Sequence, residues 1–439
     1  MRYTHHEKHM KRFVLLFALL AAGASCRAQV VTLDECQQFA QENYPVIAQQ
    51  ELIEKLAEFN VSNARRNWLP QISVSAMASY LSQVPEIPAS LQSLLAIGNV
   101  DVGSFSHGLY GASVQVKQPI WDGGLIGAQV AAAKAEGEVS RRSWEAEMYA
   151  VRERVNQLYF GTLLLQENIG LADLLIADLE RNYRMLESMQ TFGTADRNDL
   201  DQLRVEILGA RQQRAQLVSS RAVYLAMLGV MTGQPFTEET RLERPVAVDL
   251  SQSTGDKRPE MALLDAQQQL LDAQRRAVRA SVMPQIGAFA WGMYTNPGPD
   301  IFRSMKDHCY WSPYVFAGVS LSWNIGGFYT KKNRMAQIAL NERRLESQRE
   351  TFLYNIRLQS MQERAAIAEM QEVMRYDEEI IALRESIRRR TEASVKNGEA
   401  SVNDLLRDMN AEDRARQNKA AHEVEWLKNI YDLKYTVNE

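Results

Sequence analysis

The chain has 439 residues, of which 46% are hydrophobic, and a formal net charge of −4. This mildly acidic balance excludes the broad basic surface through which proteins bind nucleic acid, so no nucleic-acid partner is expected. The histidines outside the first nine residues are isolated, and neither a nucleophile elbow nor a phosphate-binding glycine loop occurs. We therefore predict that the chain is not an enzyme and holds no cofactor or metal. Beyond the first 28 residues only Cys36 and Cys309 remain, too few for a disulfide framework, and both are expected to be free.

Residues Met1–Ala28 have the pattern of a secretory signal peptide. Lys8, Lys11 and Arg12 precede an uninterrupted apolar run, Phe13–Ala22, and small residues follow it. A run of this length is too short to span a bilayer, which takes about 20 residues. We predict an exported protein that is cleaved after Ala28. The less favoured alternative is lipidation at Cys26, which Gly23 opposes because lipoprotein signals usually have leucine at that position.

The rest of the chain is an internal duplication. Three landmarks occur twice and in the same order, and from Gly193 to Gly398 the offset is 205 residues. The first is a basic, alanine-rich stretch that passes through Pro-Gln-Ile into an alternating segment, at residues 63–78 and 275–290. The others are a Trp…Gly-Gly corner and a Gly-x-x-x-x-x-Asp-Leu turn, at Trp121–Gly124, Trp323–Gly327, Gly193–Leu200 and Gly398–Leu405. Self-similarity of this kind indicates two structural repeats.

The positions of proline separate long helices from short strands. No proline occurs between Pro119 and Pro235 or after Pro313, and proline ends or kinks a helix. For the first repeat, 29–232, we predict a helix at 33–69, strands at 71–81 and 110–120, and helices at 126–190 and 197–230. A connector follows at 233–258. For the second repeat, 259–439, we predict a helix at 259–283, strands at 285–294 and 314–324, and helices at 333–396 and 402–435. The longest helices would extend about 95 Å, so the protein is expected to be elongated.

The four predicted strands alternate between apolar and polar residues, as strands with one apolar face do. Their length suits tilted strands that cross a bilayer, and aromatic residues cluster at their ends as in interfacial girdles. In the second repeat the pattern is less regular, because Phe289, Trp291 and Phe316 fall on the polar face. The alternative is an ordinary soluble hairpin with one wet side. Four strands cannot close a barrel in lipid, so two or three chains must combine.

The helix that follows the first turn has a coiled-coil period. Spacings of three and four alternate through Leu200, Leu203, Ile207, Ala210, Arg214, Leu217, Arg221, Tyr224, Leu228 and Met231. Arg214 and Arg221 do not suit a dry seam. We expect their aliphatic stems to pack while the guanidinium groups reach water.

Two pairs of glycines mark strand-to-helix corners. Gly123 and Gly124 follow the second predicted strand, and Gly326 and Gly327 follow the fourth. Glycine permits the sharp turn that such a corner needs. We interpret these pairs as structural corners and not as ligand-binding loops.

The ordered set of motifs resembles that of the TolC-like outer membrane efflux proteins, the outer membrane factors of tripartite pumps. The matching motifs run from Thr32 to about Tyr435 and comprise Leu69-Pro70-Gln71, Gln118–Gly124, Arg258-Pro259-Glu260, Met283-Pro284-Gln285 and the two glycine turns. The resemblance implies a fold that combines a membrane β-barrel with a long α-helical barrel. A homotrimer would close a 12-strand barrel in outer-membrane lipid, and its coiled-coil α-barrel would extend into the periplasm.

The same resemblance assigns roles to the glycine turns. They would form a periplasmic tip that docks a periplasmic adaptor (membrane fusion protein), through Gly193, Thr194, Ala195, Gly398, Glu399 and Ala400. An aspartate matching Asp404 lines the narrowest ring of the entrance in that family, so the constriction residues would be Asp404, Asp199, Arg407 and Asp408. The family's further aspartate is replaced by Arg407, and Val395 stands where a tyrosine latch often lies. The alternative is that Asp404 only caps its helix.

Two functions remain open at this point. The first is a passive outer-membrane exit duct of a tripartite efflux or type I secretion system, driven by an inner-membrane RND or ABC transporter. The second is a non-channel periplasmic coiled-coil structural or adaptor protein. The membrane-length alternating strands favour the duct. The exported substrate cannot be derived, because selectivity of a passive duct would lie in the pump.

Overall fold

The computed structural model describes residues 30–84, 86, 88–98, 103–191, 196–248, 250, 257–307 and 309–438. The predicted signal peptide, Cys26 and the first-turn residues Gly193, Thr194 and Ala195 lie outside these ranges. The chain divides into two compact units, each with parts of both sequence repeats. Unit 1 comprises Met1–Ala48, Glu145–Arg258 and Phe352–Glu439, and unit 2 comprises Gln49–Trp144 and Pro259–Thr351.

The elements follow in the predicted order. In the first repeat they are β1 (Val30–Val31), α1 (Leu33–Asn43), a 3₁₀ turn (Pro45–Ala48), α2 (Gln49–Arg66), β2 (Gln71–Tyr80), α3 (Ala89–Ile97), β3 (Gly108–Trp121), α4 (Leu125–Thr191) and α5 (Arg197–Thr232). After them come β4 (Arg241–Leu242), α6 (Pro259–Ala280), β5 (Gln285–Asn296), α7 (Ile301–Lys306), β6 (Ser312–Ser322), α8 (Gly327–Lys396) and α9 (Val402–Val437).

One predicted helix is wrong. The segment 33–69 is not continuous, because α1 ends at Asn43 and the 3₁₀ turn separates it from α2. Tyr44 adopts an extended conformation, with φ −64° and ψ 131°. The residue before a proline is restricted to such conformations, and Pro45 has no N–H to continue the helix. The break therefore follows from a single proline.

The core of unit 1 forms where α1 and the connector meet the long helices. Thr32 caps α1 in a capping box: its hydroxyl accepts from the N–H of Glu35 at 3.2 Å, and the Glu35 carboxylate accepts from the N–H of Thr32 at 2.9 Å. The connector is tied to the chain start by parallel pairing of β1 with β4. Tyr159 of α4 is fully buried there and donates to the carbonyl of Val31 at 2.9 Å.

Within the described residues α4 is also the one helix apolar enough, by length and composition, to cross a membrane.

The coiled-coil pattern of α5 is observed, but its two arginines differ. Leu200, Leu203 and Ile207 are buried against α4 and α9 in a second core cluster. Arg214 remains exposed and pairs with Asp173. Arg221 instead donates to the backbone carbonyls of Glu238 and Thr240, so its guanidinium group holds the connector and does not simply reach water.

Unit 2 contains a four-stranded antiparallel sheet in the order β2-β3-β5-β6. Directly paired residues of such a sheet lie on the same face, and the register therefore assigns every strand residue to a face. One face is apolar apart from Gln118 and Asn296 at its ends: Ile72, Val74, Ala76, Ala78, Tyr80, Tyr110, Ala112, Val114, Val116, Ile286, Ala288, Ala290, Gly292, Tyr294, Pro313, Val315, Ala317, Val319 and Leu321. The other face carries most of the serine and glutamine side chains. β2 and β6 are the sheet's two edges.

Candidate functional site: the helical turns and the strand corners

The second turn joins α8 to α9 through a glycine in the left-handed conformation. Gly398 has φ +74°, a value that glycine adopts without steric cost. Its N–H donates to the carbonyl of Val395 at 3.1 Å, and the N–H of Glu399 donates to that of Ser394 at 2.8 Å. This is the bond pattern of a Schellman cap. Gly398 and Glu399 are exposed and Ala400 is half-buried, so the turn presents its backbone to solvent.

Asp404 lies in the cap that begins α9. The hydroxyl of Ser401 accepts from the N–H of Asp404 at 3.2 Å and donates to its Oδ2 at 2.7 Å. Arg407 lies next to the carboxylate, with Nη2 3.5 Å from Oδ1. The hydrogen bond from the Ser401 side chain, and then that from its backbone and the charge of Arg407, lower the pKa of Asp404. Within one chain the carboxylate is therefore ionised, half-exposed and fixed at the start of the helix.

The first turn has the same construction where it is described. Asp196 is the N-cap of α5, and its N–H donates to Oδ2 of Asp199 at 3.4 Å, which completes a capping box. Asp199 therefore occupies the same position in its cap as Asp404 does in the second repeat. The two carboxylates form a matched pair for experiment.

Asp408 is not an exposed carboxylate. Its side chain is 10% exposed and its Oδ2 accepts from the hydroxyl of Thr391 at 2.7 Å. The bond joins α8 to α9 just behind the turn. Of the four residues predicted for the constriction, three have accessible side chains: Asp404, Asp199 and Arg407. Asp408 is buried and instead bonds α8 to α9.

Sequence analysis missed a buried ion pair one turn further along. Nε of Arg388 on α8 lies 2.6 Å from Oε2 of Glu412 on α9, and the two side chains are 10% and 5% exposed. Arg416 also pairs with Glu412, at 2.7 Å. Burial would lower the pKa of Arg388, but the hydrogen bond and charge of Glu412 raise it above its ordinary value. The signal in the sequence is the spacing of Asp408, Glu412 and Arg416 at i, i+4 and i+8 on one face of α9.

Asp413 is the neighbouring carboxyl group in this cluster. Burial raises its pKa to about 6, with a smaller contribution from Glu412 and an opposing one from Arg416. Gln417 donates to its Oδ2 at 2.6 Å. Its ionisation therefore falls in the range of pH that an exported protein can meet.

The two strand-to-helix corners differ in what they require. Gly123 and Gly124 have φ of +68° and +86°, and a Cβ at Gly123 would lie 2.3 Å from Cβ of Met283. Asp122 caps α4 by accepting from the N–H of Gly124, at 2.9 Å, and from that of Ile126. At the second corner, Gly326 and Gly327 have no positive φ. The Asn324 side chain closes this second corner, because it accepts from the N–H of Gly327 at 3.2 Å. Only the first corner requires glycine.

The described residues contain no group of His, Cys, Asp and Glu side chains that could hold a metal. Cys36 and Cys309 are both free, as predicted. Burial raises the pKa of the Cys36 thiol to about 12, which makes it unreactive as a nucleophile. The candidate site is thus a set of helix caps and charges at the turns.

Comparison with known proteins points to one family. Residues 37–234 match the family model described as outer membrane efflux protein, whereas no curated protein sequence matches the chain. The structure is similar to crystal structures of CusC, with a TM-score of 0.70, 14% identity and 94% of each chain covered. It is similar to the CmeC outer membrane channel of Campylobacter jejuni, with a TM-score of 0.66, 14% identity and coverage of 92% of this chain and 85% of that one. It is also similar to the outer membrane protein VceC of Vibrio cholerae, with a TM-score of 0.67, 13% identity and coverage of 92% and 95%.

These findings confirm the resemblance to the TolC-like outer membrane efflux proteins, and with it the prediction of an outer-membrane location. The fold is that of outer-membrane channels. The matched family is one of efflux proteins and not of enzymes, in agreement with the prediction from the sequence.

Proposed function

We propose that this chain forms the passive outer-membrane exit duct of a tripartite efflux or type I secretion system, as a homotrimer. The observation that carries the proposal is the four-stranded sheet of unit 2, which has one apolar face without a charged side chain and two open edges. In lipid each unpaired backbone group costs several kcal/mol. The edges β2 and β6 must therefore be paired by other copies, and three copies supply the twelve strands of one barrel.

The exposed apolar residues of the long helices support the same assembly. On α8, spacings of three and four connect Tyr354 to Leu358 and Met361, and Ile380 to Leu383 and Ile387, and all six side chains are exposed. On α5, Val205, Leu208, Val223, Met227 and Val230 are exposed in a similar stripe. Such stripes are the seams of helical barrels and coiled coils. We assign them to contacts between copies that continue the duct into the periplasm.

The turns would form the end of the duct that meets its partners. We assign adaptor docking to Gly398, Glu399 and Ala400 and to their counterparts Gly193, Thr194 and Ala195, which lie outside the described residues. The exposed backbone of the second turn, which two backbone hydrogen bonds close, supports this assignment. Asp404 and Arg407, with Asp199 and the more buried Asp408, would line the entrance. An inner-membrane RND or ABC transporter would supply the energy through the adaptor.

Planar lipid bilayers provide the test of the proposed function. The purified protein is expected to insert and produce discrete conductance steps, because a closed barrel encloses water. The same preparation after heat denaturation is the control. A chain that leaves the bilayer resistance unchanged while keeping its strand content would instead be the non-channel coiled-coil protein, and the duct would be rejected.

A further inference from the structure

An aromatic cluster interrupts the polar face of the sheet. Phe289 and Trp291 lie on β5, and Phe316 is the residue paired with Trp291 on β6. The ring of Phe316 lies 5.9 Å from that of Phe289 and 5.4 Å from that of Trp291, centroid to centroid. Gly318 is paired with Phe289, and a Cβ there would lie 3.1 Å from the ring of Phe289. The glycine therefore makes room for the cluster on this face.

The rings line a cleft that also contains hydrogen-bonding groups and a positive charge. Its volume is about 570 Å³, and its wall includes Gln115, Lys117, Ser320 and Asp122. The Asp122 carboxylate is buried and accepts from the N–H groups of Gly124 and Ile126. This size lies within the range of about 300–1,000 Å³ that small organic ligands fill. The indole N–H of Trp291 is buried and has no acceptor within the described chain. The cleft thus combines apolar contact area with polar groups that could fix the orientation of a bound molecule.

The exposed charge of the cleft, that of Lys117, selects among organic ligands. Lys117 is paired in register with Phe289, so its side chain lies on the same face beside the cluster. It is the only charged residue that the described strands place on this face, and it is exposed. A cation beside aromatic rings complements a flat aromatic molecule that carries an anionic group. An aromatic cation would be repelled.

We propose that this cleft binds aromatic organic anions, and that the duct contacts its cargo there instead of being an inert passage. The proposal rests on the proposed function in one respect, since that function turns the polar face of the sheet toward the lumen. Binding itself depends only on the residues of the cleft. The rings would hold the aromatic part by stacking, and Lys117 would pair with the anionic group.

The first test is isothermal titration of the full-length protein in nanodiscs with 2-naphthalenesulfonate, and with 2-naphthalenemethanol as its neutral counterpart. Trp291→Ala should weaken binding of both probes by about three- to tenfold. Lys117→Gln should weaken binding of the sulfonate alone, and Lys117→Glu should abolish it. Tyr314→Ala removes an aromatic side chain from the same face outside the cleft and should leave both affinities unchanged. Trp291→Phe should retain binding. Retained binding would show that a loss of binding in Trp291→Ala is not caused by misfolding.

The second test separates this proposal from the proposed function. In planar bilayers, 2-naphthalenesulfonate should block the wild-type current, and Trp291→Ala and Lys117→Gln should reduce the block. A conducting protein that neither binds nor is blocked by the probe would overturn the aromatic site and leave the duct intact. A protein that binds the sulfonate with the expected dependence on Lys117 but does not conduct would retain the site and reject the duct. Equal affinity in wild type, Trp291→Ala and Lys117→Gln would mean non-specific partition, and the site would be rejected.

Discussion

At the scale of single residues, Asp404 is held in its ionised form by its cap. Donation from Ser401, and then the charge of Arg407, lower its pKa. For an acid whose pKa is lowered by folding, the stabilising contribution is present above the unfolded pKa of about 3.9 and is lost as pH falls through the folded value. Changes between about pH 5 and pH 8 therefore leave the charge of Asp404 unchanged.

Asp404→Ala separates the entrance role of this residue from its capping role. If three copies line a narrow entrance, the variant should lower the preference of the pore for cations, because rings of carboxylates favour cation passage. Ion selectivity is read from reversal potentials in a salt gradient across a planar bilayer. Asp199→Ala removes the equivalent carboxylate of the first repeat, which is also assigned to the entrance, and shows whether the two repeats contribute equally. If both variants keep wild-type conductance and selectivity, Asp404 is a cap and no more.

Asp413 is the group whose charge should change with mild acidification. Burial raises its pKa to about 6, so the folded state binds a proton more tightly than the unfolded state does, and stability should rise as pH falls from about 6 toward 4. Asp413→Asn should stabilise the protein by roughly 1 kcal/mol at pH 7.5, a figure discounted because the side chain is partly exposed, and should change it little at pH 4. Thermal unfolding followed by circular dichroism at both pH values measures this. Glu399→Gln, in the exposed turn, is the control. An equal effect at both pH values would contradict the assignment.

At the scale of elements, the caps were predictable and the links between helices were not. Ser401-x-x-Asp404 and Asp196-x-x-Asp199 are local patterns, and both form caps as their spacing indicates. The pair between Arg388 and Glu412 joins two helices across a turn. Its formation depends on how the helices align, and a single sequence contains no measure of that alignment. The break at Pro45 is the opposite case: a single residue explains it, although we predicted a continuous helix at 33–69.

Arg388→Leu should destabilise the joined ends of α8 and α9. It leaves the buried carboxylate of Glu412 with only Arg416 as its partner, and breaking a buried pair in this way costs about 3 kcal/mol. The double variant Arg388→Leu, Glu412→Leu should lose less, since neither charge is then left buried. Denaturant unfolding of wild type, both single variants and the double variant gives the coupling energy. A double variant as unstable as the sum of the singles would show that the pair contributes nothing.

The faces of the sheet are tested by adjacent substitutions on β3. Val114 lies on the apolar face and Gln115 on the polar face. Val114→Arg should prevent insertion, because arginine facing lipid near the bilayer midplane costs about 2–4 kcal/mol. Gln115→Arg should insert and shift the selectivity of the pore toward anions. Outer-membrane fractionation and bilayer recordings measure both outcomes. Insertion of Val114→Arg at the wild-type level would mean that this face does not meet lipid.

At the scale of the whole molecule, the class of fold could be derived from the repeats, the spacing of proline and the alternation of the strands. The four strands of the sheet and five of the six predicted helices lie where the sequence patterns place them, apart from shifts at their ends, whereas the helix predicted at 33–69 is broken at Pro45. The division into two compact units could not be derived, because each unit combines segments from both repeats. Assembly is also beyond the reach of one chain's sequence, since four strands are compatible with either two or three copies.

The mass of the assembled protein in detergent tests the central claim most directly. Native mass spectrometry, or light scattering with the detergent contribution subtracted, should give three copies of the exported chain, because four strands per copy with open edges at β2 and β6 require partners. Far-UV circular dichroism of the same sample should show that the strands are retained. A folded monomer that keeps its strand content would contradict the account.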